Sequence, residues 1–120
     1  MLAESSTTRA QMMSANASLA AQSTFGNLEA KILAGEQLSQ EELVDAREYI
    51  SRMLRDFENI HYQYNLGVID DEIWAANLRG ISFIRNNATF EAVYPGWPDH
   101  RAAAFFRESF IDLLETYKAL

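Results

Sequence analysis

A glutamate and a histidine stand three residues apart in the aromatic stretch FENIHYQYNLGVIDDEIW, which runs from Phe57 to Trp74. On a helix, side chains at this spacing share one face, so Glu58 and His61 could hold a metal ion or exchange a proton. Helical bundles with two iron atoms use this pair twice, together with two further glutamates. The only other histidine is His100, and Trp97 stands three residues before it. The pattern excludes a dinuclear site of this type. It leaves open a mononuclear metal site and a polar cluster on a helix face.

Other kinds of chemistry find little support in the sequence. The chain has no cysteine, which excludes a thiolate nucleophile and a zinc site of the cysteine type. It has no Gly-x-Ser-x-Gly motif and no glycine-rich phosphate loop. Seventeen acidic and ten basic residues give a net charge of −7, which disfavours binding to nucleic acids and to anionic membranes. We therefore expect a non-enzymatic protein without a cofactor.

The N-terminal part, residues 1–35, is predicted to form a long neck-like helix that ends at Gly35, or two stacked helices broken near residues 25–27. Between Arg9 and Glu29 it contains no charged residue. A helix exposed to water normally carries charges on its outer face, so this one is expected to lie against its own domain or another chain. The side chains predicted at such an interface are small or apolar: Met13, Ala17, Ala20 and Leu28.

A helical hairpin is predicted over residues 39–87. Ser39 and Glu42 form a capping-box pattern that starts a helix at Gln40. Gly67 is predicted to end this helix with a positive φ, and Asp70 to cap the next one. The short connection requires the two helices to lie antiparallel. Gly80, inside the second helix, indicates a bend or a close packing contact.

The last part, residues 88–120, holds both prolines and the final helix. We expect a loop with at most a short helix at Ala88–Val93, and then a helix that opens at Pro98 or Asp99 and continues to about Tyr117. Phe105 is predicted to lie beside the buried face of that helix. The sequence thus predicts an all-α single domain, a bundle of about four main helices around a central antiparallel hairpin.

The hairpin sequence resembles the central motif of an uncharacterised group of bacterial proteins. In that group a membrane-spanning helix and a short polar neck precede a small all-helical domain. The resemblance is carried by Phe57-Glu58-Asn59, Tyr62-Gln63-Tyr64, Gly67, the acidic cap Asp70 to Glu72, and Trp74. Thr8-Arg9-Ala10 is similar to the neck, and ESFIDLLETY to the last helix.

The resemblance implies a cytoplasmic domain, at the inner face of the membrane in a full-length form, because the neck in that group is basic. It implies no chemistry. The anchor is missing here, so either it preceded this chain or the chain is a soluble member, and no membrane contact is expected of the residues present.

The sequence and this resemblance leave three functions open. The first is a helical interaction domain that self-associates or docks another protein through its N-terminal helix. The second is a small-ligand sensor with a pocket between the hairpin and the last helix. The residues predicted to line that pocket are Glu58, Tyr62, Trp74, Trp97 and Phe106. The third is an unrecognised enzyme.

If Glu58 lies inside the bundle, its charge needs a donor such as Tyr62, Trp74 or an arginine.

Overall fold

The structure is a computed structural model that describes residues 25–119, and every regular element in this range is helical. Helix α1 covers residues 25–33 of the described part. It is followed by α2 (Gln40–Asn65), α3 (Asp71–Arg85) and the short α4 (Ala88–Val93). A 3₁₀ helix (Arg101–Phe105) and α5 (Glu108–Thr116) are the last elements of the described part. The predicted all-α class is confirmed.

Helix α1 ends where the sequence predicts. Gly35 has a φ of 81°, and the N–H of Glu36 donates to the carbonyl of Lys31 across the last turn. This closes the carbonyl end of the helix in the way that a left-handed glycine permits. Residues 25–27 are helical, so the chain has no break at Gly26-Asn27.

Helix α2 is the longest described element, and both of its predicted ends are confirmed. The Ser39 hydroxyl accepts from the N–H of Glu42 at 3.1 Å, and the Glu42 carboxylate accepts from the N–H of Ser39 at 2.9 Å. At the other end Gly67 has a φ of 79°, and the N–H of Val68 donates to the carbonyl of Gln63. These bonds satisfy backbone groups that a helix end leaves unpaired.

Helices α2 and α3 form the predicted antiparallel hairpin. Asp70 caps α3 by accepting from the N–H of Ile73 at 2.9 Å. Near the turn, the rings of Tyr64 and Trp74 stack with centroids 4.7 Å apart. About two helical turns before Tyr64 on α2, Phe57 lies against Gly80 of α3. The predicted close contact at Gly80 is therefore present.

A single hydrophobic cluster joins all the described helices. Its α2 members recur at helical spacing, at Ala46, Ile50, Leu54 and Phe57. The fully buried side chains from the other helices include Ile81, Phe90, Phe110 and Leu114. The hairpin thus supplies one side of the core, and α4 and α5 cover it.

The end of the chain differs from the prediction. Instead of one helix from Pro98 or Asp99, residues 101–105 form a 3₁₀ helix, and α5 begins only at Glu108. Phe106 and Arg107 between them are extended, with ψ of 156° and 144°. Phe105 was predicted beside the buried face, but its side chain is 79% exposed. The short helix at Ala88–Val93 is confirmed.

Candidate functional site

Glu58 joins the middle of the hairpin to the start of α5. Its Oε2 accepts a hydrogen bond from the backbone N–H of Arg107, with the two atoms 2.7 Å apart. Arg107 is the N-cap residue of α5, and its own side chain makes no capping bond. A carboxylate at the N-terminus of a helix is favoured by the helix dipole. The expected donor to Glu58 is therefore an arginine, acting through its main chain rather than its guanidinium.

The guanidinium of Arg107 lies over the ring of Tyr62, 4.2 Å from the ring centre. Tyr62 follows Glu58 by four residues, so both side chains lie on the same face of α2. Arg107 therefore contacts two successive positions on that face, one through its backbone and one through its side chain. A contact of a cation with an aromatic face is attractive and leaves most of the charge in water.

His61 serves as a packing ring between three helices. Its imidazole stacks on Trp74 at 5.4 Å between ring centres and lies 6.2 Å from the ring of Phe110. Asn65 is within hydrogen-bond distance of Nε2, at 3.3 Å. Partial burial lowers the pKa of His61; the Glu58 carboxylate opposes this shift and Arg107 adds to it. The neutral imidazole is thus the form that the fold favours.

The five residues predicted to line a ligand pocket lie along or beside one chain of aromatic contacts, here called the aromatic seam. Neighbouring rings in the seam are between 4.7 and 6.2 Å apart. In order, the rings are Tyr64, Trp74, His61, Phe110, Phe106 and Trp97. Glu58 and Tyr62 lie next to it on α2. Of the predicted residues, only Trp97 and Phe106 contact each other through their rings. Trp74 is connected to them through His61 and Phe110, and Tyr62 contacts Arg107.

Glu58 and His61 each contact groups on other helices. One carboxylate oxygen of Glu58 accepts from a backbone amide, and the imidazole of His61 stacks on Trp74 and lies at a tilt to Phe110. Within residues 25–119, no group of three or more histidine, aspartate or glutamate side chains is placed to hold a metal ion. Glu58 thus connects α2 to the start of α5, and His61 connects α2 to α3 and α5.

The predicted interface residues lie mostly beyond the described part of the chain. Met13, Ala17 and Ala20 are outside residues 25–119. Leu28 is described, and it is only 5% exposed because it belongs to the hydrophobic cluster of its own chain. It therefore has little surface left for a second chain. Its role in the structure is to dock α1 on the rest of the domain.

A cavity of about 280 Å³ opens between α1 and α2. Its lining mixes apolar and charged side chains: Phe25, Leu28, Asp45, Ala46, Glu48, Tyr49 and Arg52. The rings of Phe25 and Tyr49 are 5.2 Å apart at this place. Partial burial raises the pKa of the Tyr49 phenol. None of the five predicted ligand residues lines this cavity.

Sequence reasoning missed a charged contact that joins α3 to α5. The side chain of Arg85 is 2% exposed and donates to the Glu115 carboxylate from Nε at 3.2 Å and from Nη2 at 3.0 Å. Its guanidinium also lies 4.7 Å from the ring centre of Phe90 in α4. Because Arg85 and Glu115 are 30 residues apart, no local pattern could have paired them.

Asn86 makes a second missed contact with the end of the chain. Its side-chain amide donates to the carbonyl of Tyr117 at 2.8 Å and accepts from the N–H of Ala119. The pair Asn86-Asn87 after an apolar run was a usable signal, since asparagine is common at helix ends. Asn87 indeed caps α4 by accepting from the N–H of Thr89.

Comparison of the chain with protein-family models, with curated proteins and with solved structures found no match in any of the three. The resemblance to membrane-anchored bacterial proteins therefore stays a prediction. None of the helices within residues 25–119 combines the length and the apolar character needed to cross a bilayer.

Proposed function

We propose that this chain is a non-catalytic helical interaction domain that self-associates, or docks another protein, through its N-terminal segment. The observation that carries the proposal is the sequence from Ala10 to Leu28, which contains no charged residue in a chain of net charge −7. Its apolar positions include Met13, Ala17 and Ala20. A charge-free helical surface gains free energy when another protein removes it from water.

The described contacts of α1 support this role in one respect. Phe25 and Leu28, at the end of the charge-free segment, are buried against the domain. The described part of this helix, residues 25–33, is continuous through Gly26-Asn27, so these two side chains join the end of the segment to the core.

The polar residues that suggested chemistry also fit a non-catalytic domain. Glu58 anchors the start of α5, and His61 packs between aromatic rings. These packing and capping contacts explain why the aromatic stretch contains Glu58 and His61, without requiring a substrate. They support an interaction domain over the third hypothesis, an unrecognised enzyme.

The proposal is tested by measuring the solution mass of the full chain with light scattering at low micromolar concentration. We expect an oligomer for the natural sequence and a monomer for the double variant Met13→Glu/Ala17→Glu, because each glutamate would have to lose its hydration in the contact. Point substitutions are preferable to a truncation at Gly35, which would remove Phe25 and Leu28 from the core.

Ala76→Glu is the matched control, because Ala76 lies on an exposed face of α3. It adds a charge without touching the N-terminal segment and is expected to leave the mass unchanged. Circular dichroism should show equal helix content and melting for all variants. A natural chain that is monomeric and captures no partner through residues 10–28 contradicts the proposal.

A small-ligand sensor is the second proposal, and the cavity of about 280 Å³ between α1 and α2 is the observation in its favour. A ligand bound only by the folded chain raises the melting temperature. A library of small hydrophobic and acidic compounds would be screened against the natural chain and against Tyr49→Ala, which removes one wall of the cavity. A ligand in this cavity should stabilise the natural chain more than the variant, and one in the aromatic seam should stabilise both.

A further inference from the structure

The lining of the cavity between α1 and α2 has an apolar part and a charged part. The apolar part consists of Phe25 and Leu28 from α1 and Ala46 from α2, all of them buried. Tyr49, which is half-buried, adds a ring whose centre lies 5.2 Å from that of Phe25. The volume of about 280 Å³ is close to the lower end of the range for small-molecule sites. A ligand that fits here is a small molecule with an apolar part.

The charged part of the lining belongs entirely to α2. Asp45, Glu48 and Arg52 line the cavity, and all three side chains are exposed. Asp45 precedes Glu48 by three residues and Tyr49 by four. Arg52 follows Glu48 by four residues and Tyr49 by three. Because side chains three or four residues apart are neighbours on a helix, these four share one face of α2 beside the apolar part.

Both signs of charge on this face are available to a ligand. Within residues 25–119, neither carboxylate nor the guanidinium of Arg52 belongs to an ion pair. Lys31 of α1, a basic residue near Asp45, pairs instead with Glu42 at 2.6 Å. Exposed pairs on a helix are worth little, because water already solvates both charges. A ligand that brings the opposite charges therefore has little to displace.

We propose that this cavity binds a free α-amino acid with an apolar side chain. The ammonium group of the ligand meets the carboxylates of Asp45 and Glu48, and its carboxylate meets the guanidinium of Arg52, which favours paired hydrogen bonds. Its side chain lies against the apolar part of the lining. The inference rests on the second proposal, the small-ligand sensor, and gives the class of its ligand.

A ligand with one charge fits the lining less well than one with both. An amine would leave the guanidinium of Arg52 without a partner, and an acid would lie beside two carboxylates that repel it. The ammonium and carboxylate of an α-amino acid are attached to the same carbon atom. They can therefore reach Glu48 and Arg52 together, since one helical turn separates these two residues.

Four probes separate the parts of the ligand. L-phenylalanine has the ammonium, the carboxylate and an apolar side chain, whereas phenethylamine lacks the carboxylate, 3-phenylpropionate lacks the ammonium and glycine lacks the side chain. Titration calorimetry with the full chain at neutral pH measures each dissociation constant. We expect about 1 mM or lower for phenylalanine, as is usual for so small a ligand. Each of the other probes should bind about fivefold more weakly or worse.

Variants on α2 test which side chain meets which charge. Arg52→Gln should weaken phenylalanine by about fivefold and leave phenethylamine unchanged, because the amine has no carboxylate to lose. Asp45→Asn/Glu48→Gln should weaken both of these probes but not 3-phenylpropionate. Arg47→Gln is the matched control, because it removes an exposed arginine of the same helix that does not line the cavity. Melting curves check that all variants fold.

Three results would overturn the inference. The first is an analogue that binds as tightly as phenylalanine, which would show that the ligand class is wrong although the small-ligand sensor still holds. The second is an effect of Arg52→Gln on phenylalanine no larger than that of Arg47→Gln. The third is no binding of phenylalanine at about 10 mM. In that case the library screen still decides whether the cavity has another ligand. None of these results bears on the N-terminal proposal, which the solution mass decides.

Discussion

Glu58 illustrates how one side chain can connect two helices that are far apart in sequence. The residue lies in the middle of the hairpin, and its carboxylate holds the amide of Arg107, 49 residues later. The sequence indicated that Glu58 needs a donor and named an arginine among the candidates. It could not indicate the backbone amide, because a main-chain group is present at every position.

We expect Glu58→Ala to lower the free energy of unfolding by about 1 kcal/mol, since the first turn of α5 loses an acceptor. Glu58→Gln keeps an oxygen at this place and should lose less. Glu58→Leu should be no better than alanine, because packing is not what the carboxylate contributes. Denaturant unfolding measures all three, with Asp56→Ala at an exposed neighbouring position as the control. Equal stability of the alanine variant and the natural chain would exclude this role.

His61 should make stability depend on pH. Folding lowers its pKa below the ordinary value of 6.5, so the unfolded chain binds a proton more readily than the folded one. The stabilisation is therefore complete above about pH 6.5 and decreases as the pH falls from there towards the pKa of the folded state.

His61→Phe keeps a ring between Trp74 and Phe110 but cannot bind a proton. We expect its melting temperature to fall less than that of the natural chain between pH 7.5 and pH 5.5, the range that spans the ordinary pKa of histidine. His100→Asn is the matched control, because it removes the other histidine and asparagine can replace its capping bond. A natural chain and a His61→Phe variant with parallel curves would exclude His61 as the cause.

At the scale of the helices, Gly80 is important for packing although glycine is a poor helix former. A Cβ atom at this position would lie 2.9 Å from Cζ of Phe57, a distance that real Cβ atoms do not reach. The absence of a side chain therefore lets α2 and α3 approach. The cost of a glycine within a helix is offset by the contact that it allows.

Gly80→Ala is expected to destabilise the chain by about 1–2 kcal/mol, although alanine is the better helix former. Gly26→Ala provides the comparison, because residue 26 is also helical and nothing lies within 4 Å of its added Cβ. That change should stabilise by about 0.5–1 kcal/mol. In a Phe57→Leu background, the cost of Gly80→Ala should be smaller; an unchanged cost would mean that the ring is not the obstacle.

The ends of the helices separate what sequence can predict from what it cannot. The start of α2 at Ser39 and Glu42, its stop at Gly67 and the cap at Asp70 follow from contacts between residues at most five apart in sequence. The break before α5 does not follow from such local contacts. There the amide of Arg107 bonds to Glu58, a distant residue, and the local sequence reads as a continuous helix.

The aromatic stretch shows the same limit for the site. Its spacing predicts that Glu58 and His61 share one side of α2, and their contacts with α5 agree with this. It could not show that Phe110 comes from α5 to cover His61. That contact depends on how the last part of the chain returns to the hairpin, which is set by packing over the whole core.

At the scale of the whole molecule, the charged side chain of Arg85 connects three helices. It extends from α3, lies over Phe90 of α4 and pairs with Glu115 of α5. Its side chain is almost fully buried, whereas that of Glu115 is partly exposed. A buried charge that loses its partner is costly, because neither water nor another carboxylate replaces it.

Glu115→Ala should therefore lower the free energy of unfolding by about 2 kcal/mol. Glu115→Gln should cost less, since its amide oxygen still accepts from Arg85. Asp112→Ala, on an exposed face of the same helix, should have little effect. Chemical unfolding at low and high salt measures each value. A cost for Glu115→Ala no larger than for Asp112→Ala would show that the pair does not hold α5.

The aromatic seam has its two tryptophans near opposite ends, and this gives the chain a built-in pair of optical probes. Trp74 is stacked on Tyr64 at the hairpin turn, whereas Trp97 is packed with Phe90 and Tyr94 in the proline loop. The chain has no other tryptophan. Single-tryptophan versions would thus report by fluorescence, separately, on the order in which the hairpin and the C-terminal part come apart.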